Sequence, residues 1–169
     1  MKSYAIGTAR LRLRPFVAQD LDAIHGIWVE PEVRRHLWDG ERISREKAET
    51  VLASSIGSFE NYGFGIWAVI LRENGDLIGF CGFRYLDDTP EIELIYGIST
   101  PYWGMGFASE GAKAAIRYGF EEVGLERIVG IADTENIASR RVLEKVGMRF
   151  EQQTSHEGRN ETHYEIRLG

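Results

Sequence analysis

An α+β protein, with a mixed sheet covered by helices on both faces, is the fold class this sequence predicts. Three observations point to it. Consecutive strand patterns at 65–71, 76–86 and 91–98 surround the hairpin dipeptide Asn74-Gly75. After Pro101 the alternation gives way to a helical face of Ala108, Ala112, Ala115, Ile116, Gly119, Phe120 and Val123. A further strand at 127–132 follows that helix, which makes one β-α-β crossover. A repeated doubly wound fold would need more such crossovers.

The elements follow in chain order. Leu11 to Arg14 alternates apolar and basic residues and stops at Pro15, as a short strand does. Asp20 precedes Leu21, Ile24, Ile27 and Trp28, a helical spacing that ends near Pro31. A second helix is expected from Ser44, through Ala48, Val51, Leu52, Ser55 and Phe59. The three central strands are joined by Asn74-Gly75 and by the polar turn 87–90. Beyond the crossover, Ala138, Val142 and Val146 line a short helix that Gly147 stops. Strands near 148–154 and 161–168 close a count of seven.

Composition narrows the function classes. The 169 residues are read as one domain, 1–169, with 43% hydrophobic and 27% charged side chains. Twenty basic against 26 acidic residues leave a net charge of −6, which argues against broad nucleic-acid binding. Cys81 is the single cysteine, and His25, His36, His156 and His163 show no metal-ligand spacing, so no metal is expected. The first 16 residues are broken by charge too early for a leader, and no apolar run approaches the ~20 residues of a membrane helix. A cytoplasmic protein without membrane partners is expected, and a homodimer is left open.

The stretch from Tyr96 to Ser109 is the most informative. A strand ends at Ile98, and a helix begins within a loop carrying Gly104 and Gly106. Glycines there let the backbone approach a ligand, and the N–H groups of residues 105–109 at a helix start favour an anion. On the glycines alone, a pyrophosphate cradle and a tight turn packed with small residues both stand. A dinucleotide fingerprint also fits residues 104–109, with Asp133 as a ribose-binding acid, although the turn lies late in the chain with only one crossover.

Residues 101–111 (PYWGMGFASEG) followed by 125–151 (LERIVGIADTENIASRRVLEKVGMRFE) resemble the GNAT superfamily of acyl-CoA-dependent N-acetyltransferases, in its Rim-type (RimJ/RimL-like) branch. The likeness runs from residues 10–16 through 67–83 to the closing strands. It implies a mostly antiparallel seven-stranded sheet whose fourth and fifth strands splay apart, with acetyl-CoA as co-substrate. The family's pyrophosphate-binding pattern falls on Trp103, Gly104, Met105, Gly106, Phe107 and Ala108, with Ser109 in the same helical turn. Trp103 stands where Gln or Arg is usual, but a backbone cradle does not depend on that side chain. Glu110 is expected to point away from the phosphates.

The splayed strands imply that the backbones of Tyr96 and Ile98 meet the pantetheine amides, an N–H near Ile98 polarising the thioester carbonyl. Asn136 and Ser139 match the family's Asn-x-x-Ser motif, Asn136 toward the pantetheine and as helix N-cap. The family's thiolate-protonating Tyr is replaced by Leu143, which makes Ser139 the candidate proton donor. Arg140, Arg141 and Lys145 are within reach of CoA's phosphates, a solvated basic face being the other reading. Glu93, on the strand leading to Ile98, is the candidate base, with His36 and His163 as further candidates.

Trp28, His36, Leu37, Trp38, Tyr62, Phe64 and Tyr85 are the expected walls of an acceptor pocket for a peptide N-terminus or a small amine. The reaction implied is direct attack of a primary amine in a ternary complex. No acetyl-enzyme is expected, because Cys81 sits within a strand. The alternatives are a non-catalytic acyl-CoA-binding regulatory module and a nicotinamide-dependent enzyme.

Overall fold

The computed structural model describes residues 3–169; Met1 and Lys2, the start of the stretch expected to carry no leader, lie outside them. In chain order the elements are β1 (Ile6–Gly7), β2 (Leu11–Pro15), α1 (Leu21–Trp28), α2 (Pro31–Arg34), α3 (Arg45–Tyr62), β3 (Ile66–Leu71), β4 (Leu77–Tyr85) and β5 (Ile92–Ile98). Then come α4 (Phe107–Tyr118), β6 (Arg127–Asp133), α5 (Ile137–Lys145), β7 (Arg149–His156) and β8 (Arg159–Arg167). One mixed sheet holds eight strands in the order β1-β2-β3-β4-β5-β6-β8-β7, against the seven expected. The additional strand is β1, two residues paired to Leu13 and Arg12, too short to leave a period in the sequence.

Local chemistry accounts for the helix ends. Ser44 Oγ accepts the N–H of Lys47 at 3.0 Å and starts α3. Gly63 ends α3 and Gly147 follows α5, both with left-handed backbone. Two apolar layers sandwich the sheet. On one face α4 and α5 pack Phe107, Ala112, Ala115, Ile116 and Leu143 against Leu11, Leu13, Trp67, Phe83 and Ile128. On the other, Ile24, Trp28, Ala48 and Leu52 of α1 and α3 cover Ala68 and Phe80. Cys81 is buried in β4, and burial pushes its thiol up to about 12.

Backbones approach closely where β4 passes β3. A Cβ on Gly82 would stand 2.2 Å from the Gly65 carbonyl oxygen and 2.6 Å from Ile66 Cα, with main chain and no flexible side chain in the way. Gly82→Ala is therefore expected to lower stability by about 3 kcal/mol or more in a urea titration. A loss under about 1 kcal/mol would show that the strands separate freely at this point.

Candidate active site

The sheet opens between β5 and β6. β5 pairs with β4 from Gly79↔Ile98 to Tyr85↔Ile92, but with parallel β6 at Glu93↔Val129 alone. The hydrogen bonds Leu86 N–H to Glu91 O and Ser99 N–H to Ile78 O fix the phase of the β4–β5 ladder. In that phase the odd-numbered residues of β5 bond to β4, and the N–H and C=O groups of Tyr96 and Ile98 turn toward β6. Both lie beyond the Glu93↔Val129 pair, so their main chain faces the gap. The indole N–H of Trp103 donates to the Ile98 carbonyl, leaving the N–H groups of Tyr96 and Ile98 as the donors on that edge.

At the head of the gap the chain turns into α4. Gly104 and Gly106 have φ of +78° and +81°, left-handed values that L side chains rarely adopt. Gly106 is the N-cap, and Glu110 N–H, bonded to the Gly106 carbonyl, makes the first helical bond. The N–H groups of Phe107, Ala108 and Ser109 are thus the helix's unpaired donors, at its positive end. The turn is braced from two sides. Glu30 accepts from Thr100 N–H (2.9 Å) and Thr100 Oγ1 (3.0 Å). Glu110 turns away to Thr8 Oγ1 (2.6 Å), Arg10 N (2.9 Å) and Arg10 Nε (2.7 Å), and the Arg10 guanidinium lies 4.3 Å from the Phe107 ring centre. Burial opposes the Glu110 charge, yet these donors hold its carboxyl below the usual carboxylate range.

A cavity of about 1130 Å³ runs from this turn along the gap to the α2 side of the sheet. Tyr96, Ile98, Trp103, Gly104, Gly106, Phe107, Ala108 and Ser109 all line it, with Asn136, Ser139 and Glu93. Two of the expected site residues stand apart. The Met105 side chain is half exposed and outside the wall. Arg140 donates to Tyr164 Oη (3.2 Å) and to the Thr134 carbonyl (3.1 Å) and does not line the cavity. Arg141, one helical step of about 100° further round, does line it.

Asn136 Oδ1 accepts Ser139 N–H at 3.2 Å and so caps α5, leaving its amide NH₂ as donor. Tyr96 Oη donates to the Ser139 carbonyl (2.9 Å) and lies 2.8 Å from Ser139 Oγ. A phenol has one proton, so with that proton on the carbonyl the serine hydroxyl donates to Tyr96. Burial pushes the Tyr96 phenol far up, which keeps it protonated. Leu143 is buried, its Cδ2 2.7 Å from where a Cβ on Gly130 would be.

At the other end, Glu93 is 5% exposed and its Oε1 accepts Arg84 Nε at 2.9 Å. Burial pushes the Glu93 carboxyl up, against the lowering pull of Arg84. The register Glu93↔Val129, with Ile131↔His163 and Asp133↔Glu161, puts Glu93, Asp133, Glu161 and His163 on one sheet face. His36, Leu37 and Trp38 overhang that face. His36 Nδ1 lies 2.7 Å from Asp133 Oδ2, a pairing of residues 97 apart that no sequence signal announced. His163 Nε2 is 3.0 Å from Thr154 Oγ1. The remaining expected walls belong elsewhere. Trp28 is core, while Tyr62, Phe64 and Tyr85 pack on one another with ring centres 5.2–5.7 Å apart, outside the cavity.

Known proteins share this architecture. The profile of the family described as "Acetyltransferase (GNAT) domain" matches residues 10–149. The chain belongs to the GNAT acetyltransferase family. The uncharacterised N-acetyltransferase YoaA of Bacillus subtilis is 33% identical over 145 residues, covering 85% of this chain and 82% of that relative. A GNAT-family acetyltransferase structure from Bacillus anthracis is 28% identical, with a TM-score of 0.83 over 96% of this chain and 98% of its own. The ribosomal L7/L12 α-N-protein acetyltransferase RimL, solved with coenzyme A, shares the fold at 16% identity, with a TM-score of 0.83 over 97% of this chain and 98% of that one. As a GNAT member the chain is an acyltransferase of the α+β class expected, with acetyl-CoA the family's donor. Among the described residues no helix is long and apolar enough to cross a membrane.

Proposed function

We propose that this GNAT enzyme transfers the acetyl group of acetyl-CoA to a primary amine, a peptide N-terminal α-amine or a small-molecule amine, by direct attack in a ternary complex. The observation that carries the reading is the parting of β5 and β6 directly below the helix start at Gly106. The N–H groups of residues 107–109 hold the diphosphate, and Arg141 adds a positive side chain at the same wall. The Tyr96 main chain and the Asn136 amide meet the pantetheine. The Ile98 N–H then sits where a thioester carbonyl gains negative charge during attack.

Glu93 takes a proton from the attacking nitrogen, a role that its raised carboxyl pKa favours. Ser139 turns its hydroxyl from Tyr96 to give a proton to the departing sulfur, and the proton that Glu93 took replaces it. In the net step an N–H and the C–S bond break, and an N–C and an S–H bond form. Freeing a lysine-like amine at pH 7 costs roughly 4–5 kcal/mol against about 1 kcal/mol for an α-amine, so either acceptor is within reach of one or two bases.

The test is thiol release from acetyl-CoA with a hexapeptide bearing a free N-terminus and with spermidine. Amine-dependent release supports transfer. Tight acetyl-CoA binding in calorimetry with no release from either amine would favour the non-catalytic binding module.

A further inference from the structure

An ammonium acceptor must lose two protons: one before attack, to expose the lone pair, and one after it, from the tetrahedral adduct. The net reaction returns only one of them to the sulfur. The mechanism above gives Glu93 a single proton to take, and Glu93 is buried behind Arg84, poorly placed to trade protons with water. We propose that His36, oriented by Asp133, is a second catalytic base that takes the ammonium's first proton and passes it to solvent. The inference rests on the acetyl-transfer reading and deepens it.

The geometry supports the division. Asp133 accepts from His36 Nδ1 at 2.7 Å, which fixes the tautomer with the lone pair on Nε2. No other hydrogen bond holds the His36 ring among the described residues. The ring side chain is 21% exposed, so a proton gained from substrate has a path to water. Asp133 is itself held, its Oδ1 3.7 Å from Arg159 Nε, while Arg159 pairs with Asp39 on the segment that carries His36. That segment has left-handed backbone at Trp38 and Asp39. Seven carboxylates line the cavity with His36 (Glu32, Asp39, Asp87, Glu93, Asp133, Glu135 and Glu161) against four guanidinium groups (Arg35, Arg84, Arg141 and Arg159), a balance that draws in a cation.

In the step itself an N–H bond of the ammonium breaks, its electron pair stays on nitrogen, and the proton binds His36 Nε2 before leaving to water. The second proton, released by the adduct through Glu93, balances the one that the sulfur gains.

Wild type, His36→Gln and Asp133→Asn are compared for kcat/KM of thiol release with spermidine and with the free N-terminal hexapeptide, using whichever is acetylated. Acetyl-CoA affinity by calorimetry reports folding. At pH 7, His36→Gln is expected to lose about 100-fold with spermidine and about 10-fold with the peptide, whose amine is partly neutral already. Both losses shrink toward about pH 9.5 as the amine arrives deprotonated. Asp133→Asn, changing a positioning residue, moves the same way by less, with acetyl-CoA affinity unchanged in both. A loss equal at all pH values, or no loss, overturns the proposal while acetyl transfer stands. Absence of turnover in the wild type removes the transfer reading and this inference with it.

Discussion

Gly106→Trp is expected to weaken acetyl-CoA binding at least about 100-fold, measured by calorimetry, while far-ultraviolet circular dichroism and cooperative thermal unfolding stay native. The N–H donors of residues 107–109 form a site only because nothing stands in front of them, and Gly106 is the residue at its mouth. A side chain there also has to adopt a φ of +81°. That strain costs roughly 1–2 kcal/mol, small beside the stability of an ordinary domain. The first atom of the new side chain would sit 3.5 Å from an Arg10 nitrogen, ordinary van der Waals contact, so the fold can accept it. Unchanged affinity would mean that the donor binds somewhere other than this helix start.

The second large effect is expected at Glu93. Glu93→Gln should reduce turnover by about 10²- to 10³-fold, since Gln cannot take a proton, and should leave the melting temperature at pH 7 unchanged or higher. The sign follows from burial. A carboxyl whose pKa is raised in the fold favours its protonated form there, so its stabilising contribution is present below the unfolded pKa and lost as pH rises through the folded one. At pH 7 the buried carboxylate is a burden that Gln lacks, and this advantage of the variant should vanish toward about pH 4. Arg84 is 50% exposed, so losing its partner does not strand a charge away from water. Full turnover in the variant would remove Glu93 from the chemistry. A marked fall in melting temperature would show instead that the Arg84 pair holds β4 to β5.

What could be read beforehand was local. Asn74-Gly75, the Ser44 cap and the glycine after α5 each act over a few residues, and each marks a boundary where the fold has one. The motif from Trp103 to Ser109 was legible for the same reason, because backbone donors at a helix start are set by adjacent residues. Rotation about a helix axis was harder: Arg140 and Arg141 are equal in composition, and only the packing of α5 decides which one meets the cavity. Pairings across the fold left no trace at all. His36 and Asp133, or the Tyr96 hydroxyl and Ser139, are joined by the order of strands in the sheet, which no short stretch encodes. Aromatic residues misled in the opposite direction, since Tyr62, Phe64 and Tyr85 found one another at a sheet end instead of the acceptor.

The burial of Cys81 reaches into how this enzyme can be followed. Its sulfur is the only one of its kind in the chain, and at about 12 it holds its proton throughout the neutral range. Disulfide reagents added to the folded protein thus find a single reactive partner, the coenzyme freed by each turnover. Colour formed in such a mixture follows the coenzyme thiol as it is released.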